Sequence, residues 1–285
     1  MTPLVAIQNL TVAYPLGRRI IGTPPTLKAV KNVSLDIPKG SFVGLVGESG
    51  SGKTTLGRAI LRAAPISEGA ITYDDGTNRF DIASMSRIQE RAFRAQAQLI
   101  FQDPYAALSP RMTVRDIIAE PLEVLGLTAS RDQTDARVRE IAAKCRISLE
   151  HLRRYPHAFS GGQRQRISIA RTLAAGPKFV VADECVAALD VSIQADILNL
   201  LKQLQRDLDL TFLFISHDLS VVAHVCDYLA VMYLGEIVEE GPTREIFANP
   251  RHEYTRALLS AIPSLDPDQR ARVTSFERGK LTVEN

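Results

Sequence analysis

The run Gly47-Glu48-Ser49-Gly50-Ser51-Gly52-Lys53-Thr54 constrains this chain more than any other stretch. Glycines packed this closely weaken a helix or strand, because glycine loses the most backbone freedom on ordering. They are at home where a chain must turn sharply and let its main chain approach something closely. Residues 41–46 before them are apolar and of strand length, and residues 53–63 after them carry helical periodicity. The run fits G-x-x-x-x-G-K-[ST] between a strand and a helix, a loop whose successive N–H groups and helix N-terminus face an anion. Lys53 is then expected to reach β- and γ-phosphates, and the Thr54 hydroxyl to hold Mg²⁺.

The remaining pattern supplies a scaffold for such a loop. Residues 4–12 and 30–37 alternate apolar and polar side chains as half-buried strands do. Residues 97–101, 178–182 and 211–215 are short, largely apolar strands, and helical stretches are predicted over 113–150, 163–175 and 192–208. Buried strands separated by helices imply a parallel sheet covered on both faces. Between 103 and 159 no strand is expected, which reads as a helical insertion into an α/β core. The polar stretch from Asp266 is expected to be loosely packed.

Composition narrows the function classes. With 45% hydrophobic and 23% charged residues in 285, the chain has the make-up of a soluble globular protein. Its apolar runs, such as 229–234, stop far short of the ~20 residues that span a bilayer, and no signal peptide is expected at its start. A net charge of +2 gives no field for nucleic acid. Cys145, Cys185 and Cys226 are isolated, which argues for a reducing compartment and against disulfides or a thiolate metal site.

A phosphate loop alone leaves kinase, GTPase, helicase and transporter ATPase open. Residues 179–184 narrow this: an apolar strand ends in Asp183, placed for a Mg²⁺ shell, and Glu184, placed to polarise a water. Standing alone, the pair has a blander alternative, a solvated acidic turn after a strand. Ser160-Gly161-Gly162-Gln163 opens another helix, ordinarily a mere N-cap, yet also a second anion-binding helix N-terminus. One γ-phosphate does not need two such sites from one molecule, so the second is read as serving a nucleotide held by another subunit.

Together these residues resemble the ATP-binding subunits of ABC transporters over nearly the whole chain. Residues 47–54 correspond to that family's Walker A loop, Gln102 to its Q-loop, and 159–163 to its LSGGQ signature with Phe159 where leucine is usual. Asp183 and Glu184 match Walker B, Asp190 the D-loop, and His217 the H-loop. The resemblance implies an α/β P-loop NTPase (RecA-like) core with a mostly parallel sheet, an N-terminal antiparallel β subdomain and an inserted α-helical subdomain. It places an ATP-binding domain over 1–250, with the helical part at about 103–162, and a short extension over 251–285. It also implies a dimer that sandwiches two ATP molecules. Gly47, Glu48, Ser49, Gly50, Ser51, Gly52, Lys53, Thr54, Thr55 and Gln102 would contact the nucleotide, with Tyr14 stacked on adenine. Ser160, Gly161, Gly162, Gln163 and Asp190 would reach it across the interface. Thr54, Gln102 and Asp183 would hold Mg²⁺, Glu184 would act as general base, and His217 would touch the γ-phosphate.

Residues 249–263 and 102–114 are similar to the peptide, nickel and opine importer branch, which usually carries His-Pro-Tyr where this chain has His252-Glu253-Tyr254. The implied activity is an ATP-hydrolysing importer motor at the cytoplasmic face of the inner membrane. Its implied partners are a second ATPase subunit, preferably a different one, two permeases and, indirectly, an extracytoplasmic solute-binding protein, with no nucleic acid. The stretch 153–157 is read as lying near the permease contact or as a solvated basic loop. An alternative is a soluble ATPase of a non-transport complex, such as phosphonate breakdown. A chromosome-structure ATPase would need a long coiled coil between Lys53 and Asp183, which are only 130 residues apart. No cysteine follows Cys226, so the iron–sulfur cluster of some members is not expected. Cys185 stands where the family commonly has proline, and the loss of that restraint is expected to loosen the turn at Glu184.

Overall fold

The computed structural model describes residues 2–16 and 25–260. The expectation for the stretch from Asp266 and the end of the 251–285 extension lie outside them. In chain order the elements begin with β1 (Pro3–Pro15), β2 (Thr26–Pro38), β3 (Phe42–Val46), α1 (Lys53–Ile60), β4 (Glu68–Asp74) and β5 (Arg79–Asp81). There follow α2 (Arg87–Gln96), β6 (Ala97–Ile100), α3 (Pro104–Ala107), α4 (Val114–Leu125), α5 (Arg131–Lys144), α6 (Gly161–Ala174), β7 (Phe179–Asp183) and α7 (Val191–Leu208). The chain continues with β8 (Thr211–Ser216), α8 (Leu219–Val225), β9 (Tyr228–Tyr233), β10 (Glu236–Pro242), α9 (Thr243–Ala248) and α10 (Glu253–Ser260). The backbone divides into two compact units, Met1–Ser84 with Leu213–Asn285, and Met85–Phe212.

The first unit holds an antiparallel sheet in the order β2-β1-β4-β5. Its main ladder pairs Val5 with Ile37, Ile7 with Leu35 and Val12 with Val30, all of them buried. The ladder shifts register near Asn9 and Asn32, which take φ of 49° and 46°. Asparagine tolerates this left-handed backbone better than other side chains do. The same unit carries β9 parallel to β3 and the β9–β10 hairpin. That hairpin turns at Leu234 and Gly235, both at positive φ, the geometry that matches strand twist in tight hairpins. All five residues of β3 are buried, and Phe42 meets Phe214 of β8 at 5.7 Å between ring centroids. α8 lies so close to β3 that a Cβ on Gly44 would sit 2.8 Å from Val222 Cγ1.

In the second unit β6 and β7 run parallel, with Ala97 opposite Phe179 and Ile100 opposite Ala182. The Thr211 N–H donates to Lys178 O at 2.9 Å. Among the described residues no strand interrupts 103–159, as expected of the insertion. The single helical stretch predicted over 113–150 is instead two helices and a 3₁₀ turn. Gly126 ends α4 in the left-handed conformation, and the Ser130 hydroxyl caps α5. Arg115 joins them by an ion pair to Asp135 at 2.6 Å, and Arg171 of α6 pairs with Glu120 at 2.8 Å. α1 is shorter than predicted because the backbone turns left-handed at Arg62. β4, β5 and α2 were not expected; β4 buries little besides Ile71 and Tyr73, too short an alternation to register.

Phe214 is fully buried at the centre of the first unit's core. Phe214→Ala is expected to cost about 3–5 kcal/mol, read from the urea midpoint of the nucleotide-free chain.

Candidate nucleotide-binding site

In the first unit, β3 leads straight into the glycine-rich loop. The loop is backed by main chain rather than side chains: a Cβ on Gly47 would meet Met232 O at 2.1 Å, and one on Gly52 would meet Ala29 O at 2.3 Å. Both positions also have positive φ, so the demand for glycine there is steric as well as conformational. The Gly235 N–H donates to Ser51 O at 3.0 Å and pins the loop to the β9–β10 turn. Lys53 is buried, and its ammonium donates to Gly47 O at 2.8 Å, Glu48 O at 2.7 Å and Ser51 Oγ at 3.4 Å. It is folded over the loop rather than extended into solvent. Glu48, Ser49 and Gly50 form the exposed tip.

α1 starts at Lys53 with no side-chain cap, so its first-turn N–H groups carry the positive end of the helix dipole toward whatever occupies the loop. Thr54 and Thr55 lie half-buried in that first turn. His217 is exposed directly after β8, while Asp218 turns back to cap α8 through Ser220 N–H at 2.8 Å. Tyr14 is 36% exposed near the end of β1, opposite Leu27.

A contact that sequence reasoning missed joins this loop to the C-terminal segment. The Glu48 N–H donates to Tyr254 Oη at 2.8 Å. Tyr254 is 2% exposed and its ring lies on Tyr233, with centroids 4.3 Å apart. Burial pushes its hydroxyl up to about 12, so it remains a neutral acceptor at ordinary pH. No spacing rule connects residue 254 to residue 48. Only the His252-Glu253-Tyr254 triplet marked the place.

In the second unit the register of β6 and β7 explains where the Q-loop glutamine and the acids fall. Since Ile100 lies opposite Ala182, Gln102 and Glu184 emerge side by side two residues on. The Gln102 Nε2 donates to Glu184 Oε2 at 2.8 Å. Asp183 is buried at the end of β7, and Glu184 takes φ of 47°. A non-glycine residue in that region is held at a cost of about 1–3 kcal/mol. The Ala187 N–H donates to Glu184 O at 3.1 Å, and Cys185 is 2% exposed, its thiol pushed up to about 12 by burial.

Ser160 and Gln163 cap α6 reciprocally. Ser160 Oγ accepts from Gln163 N–H at 3.4 Å, and Gln163 Oε1 accepts from Ser160 N–H at 3.0 Å. A Cβ on Gly162 would sit 2.4 Å from Ile193 Cγ2, and one on Gly161 would touch Leu189 at 3.4 Å. These glycines let the start of α6 press against the start of α7, where Asp190 is exposed at the N-cap position. The nearby 153–157 stretch is tied down by Arg164, which donates to Pro156 O at 2.8 Å and lies 4.0 Å over the Tyr105 ring.

The family model for ABC transporters matches residues 30–187, and the model for the C-terminal region of oligopeptide/dipeptide transporters matches 238–283. The chain is 51% identical over 249 residues to the oligopeptide transport ATP-binding protein OppF of Bacillus subtilis, covering 87% of this chain and 81% of that one. It is 48% identical over 266 residues to the dipeptide transport ATP-binding protein DppF of Lactococcus lactis subsp. cremoris, covering 93% and 82%. Among solved structures it resembles the dimeric post-hydrolysis state of the ATP-binding cassette MJ0796 bound to ADP and Pi, with a TM-score of 0.72, 28% identity, and 84% and 99% of the two chains covered. It also resembles cbiO1 of Clostridium perfringens, part of the cbiONQ transporter complex, with a TM-score of 0.73, 26% identity, and 87% and 92% covered.

Ser160→Ala removes half of the capping box. The expected loss is about 1 kcal/mol, measured as a lower thermal midpoint in the absence of nucleotide.

Proposed function

The chain belongs to the ABC transporter family, and from that premise we propose that it is the ATP-hydrolysing motor of a peptide importer. The observation that carries this reading is the presence in one chain of the ABC region at 30–187 and the oligopeptide/dipeptide transporter C-terminal region at 238–283. In this reading the ATP-binding domain takes residues 1–250, with its helical part at about 103–162, and the extension takes 251–285.

Each proposed role follows from a side chain's chemistry. The Lys53 ammonium keeps its bond to Gly47 O and turns the protons now held by Glu48 O and Ser51 Oγ toward the β- and γ-phosphates, while loop and α1 N–H groups take the remaining phosphate oxygens. The Thr54 hydroxyl, the Asp183 carboxylate and the Gln102 amide oxygen are hard donors of the kind Mg²⁺ accepts, and the ion would neutralise phosphate charge when bound. Glu184 accepts a proton from the attacking water. Its hydrogen bond from Gln102 supports a role for that glutamine in orienting the carboxylate. His217 donates to the γ-phosphate, and Tyr14 stacks on the adenine. Ser160, Gly161, Gly162, Gln163 and Asp190 serve the nucleotide of a second ATPase subunit.

Two permeases would turn closure of the ATPase dimer into transport, with a solute-binding protein delivering the peptide. The chain would then work at the cytoplasmic membrane face. Among the described residues no helix is long and apolar enough to cross a membrane, which accords with a role for partner chains in that crossing.

Reconstitution with its two permease partners is expected to stimulate ATP hydrolysis and to drive peptide uptake into lipid vesicles. Hydrolysis that ignores the permeases would favour the soluble-complex alternative. Glu184→Gln is expected to keep ATP binding and lower turnover about 10²–10⁴-fold, measured by phosphate release. Lys53→Ala is expected to weaken ATP binding itself, measured by calorimetric titration.

A further inference from the structure

The contact between Tyr254 and the loop carries more than a packing role. The N–H of Glu48 and the C=O of Gly47 belong to one planar peptide group. On one side that group donates to Tyr254 Oη at 2.8 Å, and on the other it accepts from Lys53 Nζ at 2.8 Å. A rigid plane thus links the tyrosine hydroxyl to the ammonium that faces the phosphates. We propose that Tyr254 is a positioning residue for nucleotide binding: it fixes the tilt of the Gly47–Glu48 peptide, and through it Lys53, so that ATP affinity depends on the C-terminal extension. The inference rests on the reading of residues 47–54 as the phosphate site.

Tyr254 is itself held in place from several sides. The Tyr233 ring of β9 lies 4.3 Å away, and the Tyr254 N–H donates to His252 Nδ1 at 3.1 Å. Glu239 of β10 accepts from Arg251 N–H at 2.8 Å and His252 N–H at 3.0 Å, clamping the segment that enters α10. The Arg256 guanidinium donates to Arg251 O at 2.7 Å and closes the same turn. Glu253 is the first residue of α10, a position that suits proline or an acid equally. Its departure from His-Pro-Tyr therefore leaves Tyr254 where it is needed.

The decisive variant is Tyr254→Phe in the full chain, which keeps the ring and deletes only the acceptor. Binding of ATP by calorimetry is expected to weaken about ten-fold, the scale of one lost hydrogen bond to a partly buried N–H. Turnover at saturating ATP is expected to stay within about two-fold, since the acids are untouched, and exchange of the Glu48 amide is expected to accelerate. A merely structural tyrosine would lower the thermal midpoint and leave ATP affinity unchanged, which overturns the proposal. Glu239→Ala, which releases the clamp from outside the loop, is expected to weaken ATP in the same direction and serves if the first variant fails to fold; unchanged affinity there also overturns it. Lys53→Ala separates the two levels. If it abolishes binding while Tyr254→Phe changes nothing, the positioning role alone fails. If neither changes ATP affinity, the phosphate-loop reading falls with it.

Discussion

The contact on which the rest of the candidate site depends is main chain against main chain. The glycine-rich loop lies on the carbonyl oxygens of Ala29 and Met232, closer than any side chain at Gly47 or Gly52 would permit. Those carbonyls come from β2 and β9, so the loop's shape is imposed by strands distant in sequence. Lys53 then has little choice of posture. Buried and surrounded by carbonyls, its ammonium is held by the loop it is proposed to serve. An exposed lysine on a flexible loop would lose several rotors on meeting an anion, whereas this one has lost them already.

The second unit reaches comparable order by other means. Parallel register delivers Gln102 and Glu184 to the same end of β6 and β7, where the amide meets the carboxylate. Glu184 holds a left-handed backbone directly before the buried Cys185. Such a conformation persists when its surroundings over-determine it, and it recurs at sites that must aim a side chain. Here the aimed group is the carboxylate.

Much of this was legible before any coordinates. The phosphate loop, the strand carrying Asp183 and the cap at Ser160 announce themselves through glycine spacing, apolar runs and short-range hydrogen-bonding residues, all local properties. The β4–β5 pair and the hairpin of β9 and β10 escaped notice because pairing with distant strands defines them more than their own pattern does. The bond from Glu48 to Tyr254 escaped for the same reason: 206 residues of chain separate its partners.

The capping box at Ser160 has a consequence for how two tasks share one atom. A hydroxyl has two lone pairs and one proton. Ser160 spends a lone pair on Gln163 N–H, which seals the end of α6. Its proton stays available to an acceptor arriving from outside, so sealing the helix and greeting an anion do not compete. Aspartate could close the helix equally well but would repel that anion, and alanine would offer neither. In the proposed role at a second subunit's nucleotide, a hydroxyl meets both demands, so helix chemistry and phosphate chemistry would favour the same side chain.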